Sequence, residues 1–282
     1  MKKFTLLDGG SGTLLWDRAE KLCIKKDPVW IYNIEHPELV DWLAKQYIAA
    51  GSEIIFANTF SANAPTIERV CKYSPEEIVF KGVEIAKKAT EGTDVKVFLD
   101  VGPLSQLMEP YGDMEEDEAE EIFSRQILPG VKAGADGIML ETFIDLNMLK
   151  VAAKVACGTG LPVFASMSFE KIGKTMFGSS VKQFVEEMKE FPIAAIGMNC
   201  SVGPDAAVAI IKEFAEYTTL PVIAKPNAGL PEPDNKGNVI STYTAEMFIS
   251  QLSPALDCAS YVGGCCGTTP EYIKQLKKVR GE

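Results

Sequence analysis

Ala259-Ser260-Tyr261-Val262-Gly263-Gly264-Cys265-Cys266-Gly267 is a short apolar run that stops at two neighbouring cysteines bracketed by glycines. Adjacent side chains on an extended chain point to opposite faces, so two neighbouring thiols do not readily share one target. Glycines relax that limit because they admit φ > 0 and sharp turns. The stretch therefore reads as a strand ending in a turn that aims both sulfurs inward, and a soft metal ion is the natural target for them. Two plainer readings stand beside this one. A free cysteine often serves as a small buried hydrophobe, and a disulfide between neighbours is possible but strained.

The same unit, an apolar run that stops at a polar or glycine-rich turn, recurs along the whole chain. Runs beginning near Phe4, Glu53, Val95, Gly137, Pro162, Ala194 and Pro221 stop at Asp8-Gly9-Gly10, Asn58-Thr59, Asp100-Val101-Gly102, Glu141-Thr142, Ser166-Met167-Ser168, Asn199-Cys200-Ser201 and Lys225-Pro226-Asn227. Between most of them, helical spacing predicts helices over 37–50, 75–90, 116–133, 145–157, 180–189, 204–217 and 244–256, with a last helix from Pro270. The polar segment 230–240 reads as turn-rich. Near-continuous apolar strands are those of a parallel sheet covered on both faces. Eight strand–helix units in 282 residues match the arithmetic of a single (β/α)8 TIM barrel. A doubly wound open sheet is the competing α/β arrangement, since alternation alone does not show closure. With no linker or low-complexity segment, residues 1–282 read as one domain.

Composition narrows the function. A net charge of −11 disfavours nucleic acid and anionic membranes as partners. No apolar run reaches the ~18 residues of a membrane span. Seven cysteines, an odd number spread through a large acidic chain, suit a reduced, cytoplasmic protein rather than a disulfide framework. His36 is the sole histidine, so a Ser-His-Asp triad or a His-rich zinc site would have to use it. It precedes Pro37 at an expected helix start, where a capping role is the simpler reading. The opening glycines lack the spacing of a nucleotide loop.

If the strands close into a barrel, their C-terminal ends share one mouth. Asp8, Glu141, Cys200, Cys265 and Cys266 would meet there, while Cys23 falls in a loop and Cys71, Cys157 and Cys258 fall in or just after helices. Three thiolates with one open position suggest a catalytic rather than a structural zinc site. Such a centre is electron-rich and a poor generator of hydroxide. A substrate thiol bound there would still lose its proton. The chemistry this suits is attack by a small thiol on an electrophilic carbon. Asp8 and Glu141 could hold a substrate ammonium group, or could simply cap turns and helices.

At these residues the chain resembles the homocysteine S-methyltransferase family. The likeness rests on GGCCGTTPEYI from Gly263, Asn199-Cys200-Ser201, LLDGGSGT from Leu6, ANTFSAN from Ala57 and KPNAGLP from Lys225. It spans nearly the whole chain and is nearest to the homocysteine-binding module of cobalamin-dependent methionine synthase. The resemblance implies a TIM barrel with one zinc held by Cys200, Cys265 and Cys266. It implies homocysteine as methyl acceptor, bound through Asp8 and Glu141 with a backbone contact at Gly9, and methionine as product. A bound corrinoid is not expected within this chain, because the Asp-x-His-x-x-Gly motif of a cobalamin module is not met at the sole histidine: Ile34 stands two residues before His36 and Leu39 three after. The expected methyl donor is then methylcobalamin or a methyl-corrinoid protein supplied by another chain. The alternatives are betaine or S-methylmethionine as donor, or a zinc-binding barrel subunit with no catalysis.

Overall fold

The structure, a computed structural model, describes residues 4–229, 231–233 and 239–281. Eight parallel strands form a nearly closed barrel with helices between them, as the eight apolar runs predict. In chain order they begin with β1 (Thr5–Leu6), β2 (Ile54–Phe56), β3 (Lys96–Val101) and β4 (Gly137–Phe143). β5 (Val163–Met167), β6 (Ala195–Asn199) and β7 (Val222–Lys225) follow. A small antiparallel pair, β8 (Pro231–Pro233) with β9 (Val239–Ser241), precedes the last barrel strand, β10 (Tyr261–Val262). β10 sits between β7 and β1, so the cysteine pair and Asp8 emerge from neighbouring strands.

The ladder is interrupted between β1 and β2, and the seam there is held partly by side chains. Glu53 N–H donates to the Leu6 carbonyl at 2.8 Å. The Glu53 carboxylate accepts from Leu6 N–H at 2.8 Å and also from Arg280. The Asp8 carboxylate accepts from Phe56 N–H at 2.7 Å, so Asp8 closes the seam at its upper end.

Strand alternation decides what fills the barrel. Leu7, Ile54, Phe98, Met139, Phe164, Ala195 and Ile223 form one buried apolar cluster across the strands. Residues two further along a strand point the same way, one layer nearer the C-terminal mouth. Those residues are Phe56, Asp100, Glu141, Ser166, Gly197 and Lys225, and Asn199 lies one step beyond Gly197. An apolar plug thus supports a predominantly polar layer. Around the outside, the helices Pro37–Ala50, Pro75–Ala89, Glu116–Lys132, Leu146–Gly158, Val181–Met188 and Pro204–Tyr217 pack buried apolar faces onto the strands. Ser74, Asp145, Ser180, Thr244 and Thr269 cap their helices by accepting a backbone N–H through the side chain.

Several local expectations change. A helix over Gly12–Lys21 follows directly on the opening glycines, burying Leu15 and Ala19 one turn apart, where the sequence suggested only a loop. The helix expected over 244–256 ends at Leu252 and continues as a 3₁₀ turn, Ser253–Cys258, at Pro254. The last strand stops at Val262 rather than Gly264. His36 stands at the N-cap of the Pro37–Ala50 helix but makes no side-chain cap; its ring faces Glu38 at 3.3 Å. Of the turn-rich segment 230–240, residues 230 and 234–238 lie outside the described residues. Among the described residues, no helix is long and apolar enough to cross a membrane.

Candidate active site

Cys200 follows β6, and Cys265 and Cys266 follow β10. Their three Sγ atoms lie within 4.8 Å of one another, and Cys200 and Cys266 are 3.9 Å apart. Two thiolates on a tetrahedral zinc with bonds of about 2.3 Å stand about 3.8 Å apart, so this spacing fits one ion. The other four cysteines are also free thiols and lie elsewhere, with Cys157 on a helix as expected.

The glycines that bracket the pair differ: Gly267 carries the positive φ (79°) that a sharp turn there predicts. Gly263 and Gly264 do not have positive φ; they allow close approach. A Cβ on Gly263 would stand 2.5 Å from the Asp8 carbonyl, and one on Gly264 would meet the Thr268 side chain at 2.4 Å. Left-handed backbone is also carried by Cys200 (φ 61°) and Ser201 (φ 58°), and by Thr142 (φ 66°) on β4. Such conformations cost non-glycine residues of order 1–3 kcal/mol and persist where surrounding bonds over-determine them. At Thr142, Asn199 supplies those bonds. Its Oδ1 accepts from Thr142 N–H at 2.8 Å and from Ser166 Oγ at 2.7 Å. Its Nδ2 donates to Thr142 Oγ1 at 2.7 Å and points at Cys265 Sγ at 3.7 Å.

The thiols polarise one another. Cys265 and Cys266 hydrogen-bond toward Cys200 and pull its pKa down to about 3. The same contacts push Cys265 up to about 11 and raise Cys266 further.

Beside the sulfurs lies a buried charge cluster. Glu141, on β4 where the β4–β5 register shifts between Leu140 and Phe143, receives Lys225 Nζ at 2.6 Å. The same ammonium lies 4.0 Å from Asp8 Oδ1 and 3.8 Å from the centre of the Phe56 ring. Asp100 completes the group; Asp8, Asp100, Glu141 and Lys225 are all buried. Burial pushes Asp8 up to about 7 against the pull of Lys225 and the Phe56 N–H. Burial and the charge of Glu141 raise Asp100 well above the usual carboxylate range. Glu141 is raised by burial, with Lys225 opposing. Burial works against the Lys225 ammonium, but Glu141 and Asp8 outweigh it and keep the lysine charged.

A cavity of about 310 Å³ joins the two groups, with Asp8, Asp100, Glu141, Lys225, Cys200 and Cys265 among its walls. Gly9 lines it too, packed so tightly that a Cβ would stand 2.6 Å from Thr268 Oγ1. All the sequence-derived candidates thus converge on one chamber. Lys225, Asp100 and Asn199 were not assigned a role from sequence. The available signal was a charged or amide side chain two or more steps beyond a buried apolar residue on a parallel strand.

The chain is 28% identical over 269 residues to methionine synthase of Mycobacterium tuberculosis, a match covering 87% of this chain and 22% of that protein. It is 26% identical over 269 residues to methionine synthase of Mycobacterium leprae, covering 87% of this chain and 21% of the relative. The chain thus spans about a fifth of the length of these relatives. Among solved structures, the metallated form of the homocysteine methyltransferase MmuM from Escherichia coli superposes with a TM-score of 0.80 at 22% identity. That match covers 99% of this chain and 96% of the other. The carboxyl transferase domain of Rhizobium etli pyruvate carboxylase shares the architecture more loosely, with a TM-score of 0.55 at 13% identity over 98% of this chain and 47% of that one. The family described as homocysteine S-methyltransferase matches residues 5–280, and with that span the chain belongs to the homocysteine S-methyltransferase family.

Proposed function

We propose that this barrel transfers a methyl group to the thiol of homocysteine, giving methionine, with a zinc ion held by Cys200, Cys265 and Cys266. The observation that carries the reading is the meeting of three sulfurs and a buried carboxylate cluster in one cavity. When bound there, zinc supplies a Lewis-acidic site at which a substrate thiol is held as thiolate at neutral pH. The chain's own residues supply the rest. Asp8 and Glu141 bind the acceptor's ammonium group, and the backbone at Gly9 contacts the acceptor.

The donor is a methyl-corrinoid carried by another chain or free methylcobalamin. The methionine synthases named above support this choice over betaine or S-methylmethionine. With such a donor, the acceptor thiol would release its proton to solvent on binding, its sulfur lone pair would form the new S–C bond, and the donor's Co–C bond would break with the electron pair left on cobalt. The test is a donor panel: zinc-loaded protein and homocysteine with methylcobalamin, a methylated corrinoid protein, betaine or S-methylmethionine, assayed for methionine. Methionine from a corrinoid donor is expected. Product from betaine or S-methylmethionine alone would reassign the donor, and no product from any of the four would leave a zinc-binding subunit.

Asn199 bears on the metal through Cys265. Asn199→Ala removes the amide aimed at Cys265 Sγ and the bonds that hold Thr142 in its left-handed turn. Outer partners of this kind are worth about 10–100-fold in metal affinity. Competition with a chromogenic chelator is expected to show zinc bound weaker by that factor. Undiminished affinity would confine Asn199 to a folding role.

A further inference from the structure

Two neighbouring cysteines can serve one ion only if the chain turns beside them and stays turned. Thr268 N–H donates to the Cys265 carbonyl at 3.1 Å, and Gly267, third in that turn, has φ 79°. A type II turn needs a positive φ at this place. The Thr268 side chain adds two bonds that such a turn does not require. Its Oγ1 donates to the same Cys265 carbonyl at 2.7 Å and accepts from Gly10 N–H at 3.0 Å. The Tyr47 hydroxyl holds the other side of Gly10, donating to its carbonyl at 2.6 Å. Thr268 is fully buried, so one hydroxyl ties the loop after β10 to the loop after β1 away from water. The fit has no slack. A Cβ on Gly9 would stand 2.6 Å from Thr268 Oγ1, and one on Gly10 would stand 2.9 Å from the Cys265 carbonyl oxygen. Cys200 arrives separately, from the end of β6. Its distance to the cysteine pair is therefore set by whatever fixes the Cys265–Thr268 turn as a body.

We propose that Thr268 is a positioning residue of the zinc centre: its hydroxyl anchors the turn that carries Cys265 and Cys266 to the Gly9–Gly10 loop and so holds their sulfurs in register with Cys200. This rests on the zinc reading of the three cysteines and goes beyond it. A zinc site accepts ligand distances within about 0.2 Å of ideal, so a turn free to shift by more than that binds the ion more weakly. Valine at 268 keeps the branched shape and the backbone bond, and the turn still forms. The Gly10 N–H then loses its acceptor, and the Cys265 carbonyl loses one of two donors. A buried N–H without a partner is costly, and the strain is relieved by parting the two loops.

The test measures zinc affinity of the full chain by competition with a chromogenic chelator. The visible spectrum of the cobalt-loaded protein reads thiolate geometry alongside it. Thr268→Val is expected to weaken zinc about ten- to a hundredfold, the size usual for partners just outside the ligands, and to alter the cobalt bands. Thr268→Ser keeps the hydroxyl and should stay within threefold of wild type with unaltered bands. Ser180→Ala is the control for a purely structural loss: it removes the side-chain cap of the Val181–Met188 helix and should leave zinc affinity unchanged. Gly10→Ala repeats the test from the other loop, since its methyl would press on the Cys265 carbonyl without touching a sulfur, and should also weaken zinc. Wild-type affinity in Thr268→Val, or an equal loss in Thr268→Ser, overturns the role of the hydroxyl and leaves the zinc reading intact. If Thr268→Val does not fold, wild-type affinity in Gly10→Ala overturns it. A loss in Ser180→Ala as large as in Thr268→Val assigns the effect to general stability and overturns it as well. A wild type that holds no zinc overturns both readings.

Discussion

Serine at Cys200, Cys265 or Cys266 is expected to take the zinc content of the purified protein from about one per chain to a small fraction of that, and methyl transfer with it. The three sulfurs lie within 4.8 Å of one another at the ends of two strands that do not neighbour each other in sequence. A hydroxyl is a hard, weakly acidic ligand where the site offers soft thiolates, so each replacement removes one of three protein ligands. Cys157→Ser is the matched control, because that thiol sits on the Leu146–Gly158 helix, away from the cluster. Metal analysis by mass spectrometry after gel filtration reads the result. Full zinc in all three variants would remove the centre from this cavity. Loss of zinc in Cys157→Ser as well would point to general unfolding.

The second large effect is on stability. Lys225→Met should destabilise the ligand-free protein by about 3–5 kcal/mol, the usual result of removing one partner of a buried ion pair. For a chain of this length that is a fall in melting temperature on the order of 10 °C. Methionine approximates the volume of the lysine stem and can still lie against the Phe56 ring, so the loss reports charge more than packing. The pH dependence gives the sign. Asp8 already titrates near 7 in the folded protein against an ordinary value of 3.8, with Lys225 pulling it down. The folded state therefore binds more protons than the unfolded chain between those values, and stability falls as pH rises through that window. Without Lys225 the folded-state values of Asp8 and Glu141 rise further. The gap between variant and wild type should then be small near pH 5 and large near pH 8. An equal gap at both would assign the loss to the lysine stem.

Much of this was legible along the chain because it depends on local rules. Apolar runs of parallel-strand type, each stopping at a polar turn, specify eight strands whatever their partners. Asp145, Ser180 and Pro204 mark helix starts by capping and proline chemistry alone. Cys200, Cys265 and Cys266 stood out because each followed such a run, and closure of a barrel brings all strand ends to one mouth. The helix over Gly12–Lys21 was hidden because glycine and threonine at its start look like loop, and its stabilising contacts come from tertiary packing of Leu15 and Ala19.

What only the tertiary structure decided is how the ends meet. The sequence by itself determined which residues reach the mouth, since strand alternation is a property of one strand. It could not determine that Lys225 crosses the barrel to Glu141, or that Asp8 spends one oxygen on the β1–β2 seam and turns the other toward Lys225. Nor could it reveal that Asn199 clamps Thr142 and faces Cys265. Those hydrogen bonds join residues 48 to 84 positions apart, through distances and burial that exist only once the sheet has curled. The physical reason is that hydrogen bonds and charge interactions inside a barrel depend on cross-strand register and a shared low-dielectric interior, and both belong to the assembled sheet rather than to any segment of it.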